Sequence, residues 1–184
     1  MLNLTHSPQQ ESIRQHTDQA NSYSRLASKA QSYYDLALRA GWVRKLWSRI
    51  SKRSNRLLDL EETARFLKVR GRHDKGMQAV LIRQIIGSEG RVTDFDSSFN
   101  PLNEKTRSRW LSIATARLQG TAMPAVELIQ VGENYFVRDG HHRISVAHSF
   151  GEEAIDAHVI IWDTPAALAA QQPAEATQLC TQAI

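Results

Sequence analysis

YFVRDGHHRISVAHSFG, running from Tyr135 to Gly151, sets a strand, a glycine turn and a helix end to end. Tyr135 to Arg138 has the aromatic and β-branched composition of a strand, and Asp139-Gly140 ends it. From His141 to Phe150 no Gly or Pro intervenes, and Gly151 supplies a stop, so a helix follows the turn at once. The first turn of a helix carries backbone N–H groups with no intrahelical acceptor, and the macrodipole makes that end positive. An anion placed there gains hydrogen bonds. Gly140 lets the backbone approach closely and adopt positive φ. His142 and Arg143 add side-chain donors, and the planar fork of Arg143 can grip a phosphate through two parallel bonds. Asp139 repels a phosphate directly. Its carboxylate suits a phosphate-bound Mg²⁺, a substrate hydroxyl, or the orientation of His142 or Arg143. The competing interpretation is a plain strand–turn–helix joint capped by Asp139.

Outward from this turn the pattern is that of a small mixed fold. Before it, Val126 to Val131 is a strand joined to Tyr135–Arg138 through a turn at Gly132-Glu133-Asn134, which makes a hairpin. Upstream, Asn103 to Gln119 places Trp110, Leu111, Ala114 and Leu118 at helical spacing, with Gly120 as the stop. Gln78 to Ile86 (QAVLIRQII) is a short strand candidate, and Gly87 to Pro101 is turn-rich. After the turn, Ile155 to Trp162 (IDAHVIIW) is an apolar strand. The fold class expected is α/β or α+β, a small mixed sheet with helices, over residues 77–163. An Ala/Gln-rich tail occupies 164–184, where Thr164-Pro165 suits the start of a last short helix.

Residues 1–70 read differently. From Gln9 to Lys68 there is no Pro and a single glycine, Gly41, amid Ala, Leu, Gln, Arg and Lys, so helices are expected, in two or three pieces with Gly41 ending one. Val43, Leu46, Trp47, Ile50 and Leu57 recur at helical spacing, and Lys45, Arg49, Lys52 and Arg56 form a basic stripe almost opposite them. Asp59 to Lys68 reads as a further helical turn or two. The change at Val69 to Gly76 (VRGRHDKG) reads as a loop and as the boundary between the two regions. Three interpretations of the basic stripe compete. It can contact nucleic-acid phosphates, with DNA as partner, or an anionic membrane surface with Trp42 and Trp47 at its boundary. Otherwise it is a solvated face whose apolar side packs on the following domain.

Bulk composition sets outer limits. Hydrophobic residues make up 41% and charged residues 23%, a globular mixture. The net charge of +4 is concentrated, because no acid stands between Asp35 and Asp59. No apolar run approaches the roughly 20 residues needed to cross a bilayer. The first residues lack a basic segment followed by an apolar one, and the single Cys180 has no thiol partner for a disulfide or redox pair, so a reducing cytoplasm is the expected compartment.

The stretches GSEGRVTDFDSSFNP, TRSRW, PAVELIQVGENYFVRDGHHRISVA and IDAHV resemble the ParB/sulfiredoxin-like superfamily, and within it uncharacterised bacterial ParB-like proteins. The resemblance covers about residues 77 to 162. It implies a nucleotide-phosphate site at Asp139, Gly140, His141, His142 and Arg143, with ATP, ADP or CTP plus Mg²⁺ as cofactor. Sulfiredoxins carry a cysteine where this chain has His141, so sulfinic acid reduction is not expected. Partition ParB proteins carry a downstream helix-turn-helix domain, for which no room is expected here. The family's free-serine kinases have an Asp-Gly-x-His-Arg turn, matched by Asp139, Gly140, His142 and Arg143. They also need an upstream glutamate, for which Glu104 has the separation but not the surrounding pattern. The expectation is a nucleotide-binding module that contacts DNA through the basic helix. The alternative is a phosphotransferase in which Glu104 and Asp139 are catalytic.

Other clusters are weaker. Asp94 and Asp96 suit a shared Mg²⁺ less well than turns and a helix cap. His141, His142, His148 and His158 lack the spacing of a helical zinc site, so no protein-bound metal is expected. Arg91, Arg107 and Arg109 are within reach of the phosphate site or else lie on solvated surface.

Overall fold

The computed structural model describes residues 8–51, 55–66 and 68–165. Lys52 of the basic stripe and the 166–184 part of the tail lie outside these. The described chain is a mixed α+β fold in which one six-stranded sheet carries helices. The strands are β1 (Leu58–Asp59), β2 (Gly71–Leu81), β3 (Ile85–Ser88), β4 (Val126–Val131), β5 (Asn134–Asp139) and β6 (Ala154–Asp163). They lie in the order β1-β3-β5-β4-β6-β2. β4 and β5 form the expected antiparallel hairpin, with Val131 paired to Asn134, so Gly132 and Glu133 alone make the turn. β3 runs parallel to β5 and β6 parallel to β4. The apolar residues of β2 to β6 alternate into a core containing Val80, Val126, Leu128, Val137, Ala157 and Val159.

The helices are α1 (Pro8–Ser51), α2 (Leu60–Phe66), α3 (Arg107–Leu118) and α4 (His141–Ser149). A short 3₁₀ turn, Glu104–Thr106, leads into α3. α4 lies against α3, where Trp110 Nε1 donates to Ser145 Oγ at 2.9 Å inside the core. Arg117 of α3 donates through both Nε and Nη2 to the carboxylate of Glu152, holding the end of α3 to the turn after α4.

Several sequence expectations are corrected. Gly41 ends no helix, because α1 runs through it without a break. Its missing side chain serves close approach instead: a Cβ there would come within 2.9 Å of the Pro101 carbonyl oxygen. The loop expected over Val69 to Gly76 is largely strand, since β2 begins at Gly71. The glycine and mixed charge mark a bulge, where the register with β6 shifts between Asp74 and Gly76, and Gly76 takes φ +79°. QAVLIRQII contributes to two strands, β2 and β3, separated by a 3₁₀ turn at Ile82–Gln84. Arg56 and Leu57 do not continue the basic helix. Arg56 forms an isolated bridge with Asp96, and Leu57 is buried in the sheet core.

The orientation of α1 differs from the expectation that its apolar stripe packs on the following domain. Among the described residues, Ala30, Tyr34, Ala37 and Gly41 are its buried ones, falling within about 60° of one another on the helix. Tyr34 meets Trp110 edge-on at a ring separation of 5.3 Å. The apolar stripe of Val43, Leu46, Trp47 and Ile50 is on roughly the opposite side and exposed. Its tryptophans, Trp42 and Trp47, are therefore no part of the core. Lys45 and Arg49 are turned towards the domain instead. With Arg56 they line a groove of about 470 Å³ against Val92, Leu102 and Asn103.

Candidate anion site at the β5–α4 turn

β5 delivers Asp139, and Gly140 turns the chain into α4. Gly140 has φ +103° and ψ +16°, the left-handed region in which a side chain is strained. A Cβ at this position would also sit 2.5 Å from Val126 Cγ1, so glycine is demanded by the packing of β4 as well as by the turn. α4 then starts directly at His141, and the Ile144 N–H donates to the Gly140 carbonyl at 3.0 Å. The amides of His141, His142 and Arg143 precede that first intrahelical bond.

Arg143 is largely committed to the protein. Its Nη1 donates to the carbonyls of Pro124 at 2.7 Å and Ala125 at 2.5 Å. Its Nη2 donates to Asp139 Oδ2 at 2.5 Å, an i,i+4 ion pair in which the arginine is nearly buried and the carboxylate open to solvent. The guanidinium thus ties the start of β4 to the turn, and Asp139 orients it, as one of the sequence readings allowed. A phosphate-gripping fork on Arg143 would first have to give up these acceptors.

The histidines are buried. His141 Nε2 shares a hydrogen bond of 2.6 Å with Ser88 Oγ at the end of β3. Phe95 stacks on the His141 ring and meets His142 edge-on, at ring separations of 6.2 and 5.3 Å. Loss of water pushes both imidazoles down to a pKa of about 4, helped by Arg91 and His142 beside His141, and by Arg109 and Arg91 beside His142. At neutral pH they are uncharged. His142 Nδ1 has no hydrogen-bond partner, and it is the one buried side-chain polar atom in that condition among the described residues.

Positive charge comes from elsewhere. Arg91 and Arg109 line the same cleft as Asp139, Gly140, His141, His142 and Arg143, a recess of about 50 Å³. Arg91 reaches Asp94 at 3.6 Å. Arg107 is not brought there; it donates to Gln31 of α1 at 2.9 Å. Glu104 lies apart too, in a groove with Leu38, Trp42 and Leu102 against α1. Asp96 is buried and accepts from the amides of Ser98 and Asn100 at 2.9 and 2.8 Å, the turn-building role. Asp94 accepts from Asn103 Nδ2 at 3.2 Å. No group of three or more His, Cys, Asp or Glu among the described residues is placed to hold a metal ion. A roomier cleft of about 540 Å³ lies near the other end of α4, beside Ile82, Arg83, Phe99 and His148, without a comparable convergence of donors.

Sequence reasoning missed Ser88 and Phe95, which fix the histidine rings. Ser88 stands 53 residues from His141, and nothing in GSEG announces the contact.

No family model matches the chain, and no curated protein matches it. Among solved structures, sulfiredoxin from Arabidopsis thaliana is similar at 14% identity, covering 45% of this chain and 82% of that one, with a TM-score of 0.33.

Proposed function

We propose that the β5–α4 turn binds a phosphate group, and that the protein is a nucleotide-phosphate-binding module. The observation that carries this reading is the convergence of Arg91 and Arg109 on the first turn of α4, where His142 Nδ1 also lacks a partner. The helix start offers amides, the two arginines offer charge, and the neutral imidazoles offer donors that do not titrate at physiological pH. Asp139 and Arg143 act as a pair that shapes the turn. The recess has room for a phosphate group, so the nucleoside would rest on the surface outside it. Magnesium, if the ligand brings it, would be shared with the nucleotide's own oxygens and the exposed Asp139 carboxylate. Phosphotransfer through Glu104 gains no support from this geometry, because Glu104 faces a different groove.

Calorimetric titration of ATP, ADP and CTP with Mg²⁺ tests the reading. Arg109→Gln is the informative variant: Arg109 is exposed and makes no ion pair among the described residues, whereas Arg143→Ala would also release the start of β4. Binding by the wild type that weakens at least about tenfold in Arg109→Gln, roughly 1.4 kcal/mol, is the expected outcome. No binding of any of the three at roughly millimolar concentration, about −4 kcal/mol, would end the nucleotide reading.

A further inference from the structure

The outward stripe of α1 has no use in the fold and none in the phosphate site. Trp42, Trp47 and Ile50 are 68%, 64% and 70% exposed, and Val43 and Leu46 are about half exposed. They form an apolar strip along the last turns of the helix, with Trp42 and Val43 at the edge of the groove shared with Leu102 and Glu104, and Leu46, Trp47 and Ile50 roughly opposite the buried face. Water-exposed tryptophans in such a strip are unfavourable unless something covers them.

The charge around the strip narrows what that cover is. From Leu36 to Leu58 the chain has no acidic residue. Arg39 lies within the strip, and Arg49 and Lys45 stand on the flank between it and the groove that they line with Val92, Leu102 and Asn103. Their long stems can lie along apolar surface while the cationic ends reach outward. A second copy of this chain would bring two such cationic segments together, so self-association on this face is electrostatically opposed. A nucleic acid would answer the cations but leave the strip uncovered. An anionic lipid surface satisfies both, because the apolar residues enter the headgroup boundary, the tryptophans sit at its edge and the cations meet lipid phosphates. No helix among the described residues is long and apolar enough to cross a membrane, so the contact is one of lying on the surface.

We infer that the C-terminal half of α1 docks the protein flat onto an anionic lipid surface through Trp42, Val43, Leu46, Trp47 and Ile50. The domain then stays on the aqueous side, because the helix face that holds it is opposite the docking strip.

The test is co-sedimentation and tryptophan fluorescence of the full chain with two kinds of vesicle. One is phosphatidylcholine alone, and the other is equal parts phosphatidylcholine and phosphatidylglycerol. The remaining tryptophans, Trp110 and Trp162, are already buried, so a blue shift on binding reports Trp42 and Trp47. Partitioning onto the anionic vesicles at least about tenfold stronger than onto neutral ones, with a blue shift, is expected. Trp42→Ser/Trp47→Ser should reduce that partitioning at least about tenfold, and Arg39→Gln/Arg49→Gln should reduce it several-fold. Because all four side chains are exposed, these variants keep the fold, and unchanged circular dichroism verifies that. Equal partitioning onto both vesicle types overturns the inference. So does anionic binding that the double tryptophan variant retains in full, which would be charge adsorption only. Dimerisation lost in that variant, without vesicle binding, overturns it in favour of a second copy. Duplex DNA binding that survives the tryptophan changes, again without vesicle binding, overturns it in favour of the basic groove.

Discussion

His141 and His142 stand side by side behind the surface of the turn, yet their burial makes them weak bases. Their donors and acceptors are consequently fixed through the physiological range, and the charge offered to an anion is that of Arg91 and Arg109. The same burial links folding to pH. In the unfolded chain both rings take up protons below about pH 6.5. In the folded chain they do so only near pH 4. The unfolded state therefore binds more protons between these values. Stability is unaffected by these two groups above about pH 6.5 and is lost as the pH falls from there towards 4, by on the order of 3 kcal/mol for each ring. Imidazole proton resonances of His141 and His142 should stay fixed between pH 7 and 5 while the urea midpoint declines over the same interval. Resonances that titrate near pH 6.5 would show that the rings are solvated and that the packing of Phe95 and Ser88 against them is wrong.

Among the elements, β3 shows how one small residue permits an arrangement. A Cβ on Gly87 would stand 2.3 Å from Phe136 Cδ1 and 2.6 Å from the Leu58 carbonyl oxygen, so the contact with β5 and the pairing with β1 both need a bare backbone there. Gly87→Ala should destabilise the protein by about 2 kcal/mol or more, through overpacking. Amide exchange should accelerate first at Leu58 and Asp59, and a substitution that leaves the thermal midpoint within a degree or so would contradict the close approach. The hairpin, α3, α4 and β6 were legible in the sequence because their signals are local: alternation, helical spacing and a glycine at each end. α1 was legible as helix but not as one piece. Gly41 looks like a stop, and only the position of Pro101, sixty residues away in sequence, reveals it as a contact. The candidate site was half legible. Gly140 and the helix start could be read directly, whereas the tie of Arg143 to two carbonyls and the arrival of Arg91 and Arg109 depend on tertiary packing. Amphipathicity likewise gave the two sides of α1 without saying which of them the domain covers.

At the scale of the whole molecule, α1 spans roughly 66 Å at 1.5 Å per residue and packs on α3 and α4 rather than on the sheet. Among the described residues, its buried ones run from Ala30 to Gly41, with Tyr34 against Trp110 at the centre of the α1–α3–α4 cluster. Tyr34→Ala should cost about 3 kcal/mol or more, the usual range for deleting a buried aromatic ring. Truncation before Tyr23, which removes the exposed residues 16–22, should leave the thermal midpoint nearly unchanged. The two measurements together locate the attachment: comparable losses from both would mean that the helix is held along its length. The outer margins of the sheet have a separate consequence. One margin is the two-residue β1 and the other is β2, long enough to recruit a foreign strand. The bulge at Asp74–Gly76 interrupts β2, and Arg72 and Lys75 place charge along it. A sheet bounded by a stub on one side and a kinked, charged strand on the other offers no straight template for growth, which guards the protein against edge-to-edge aggregation.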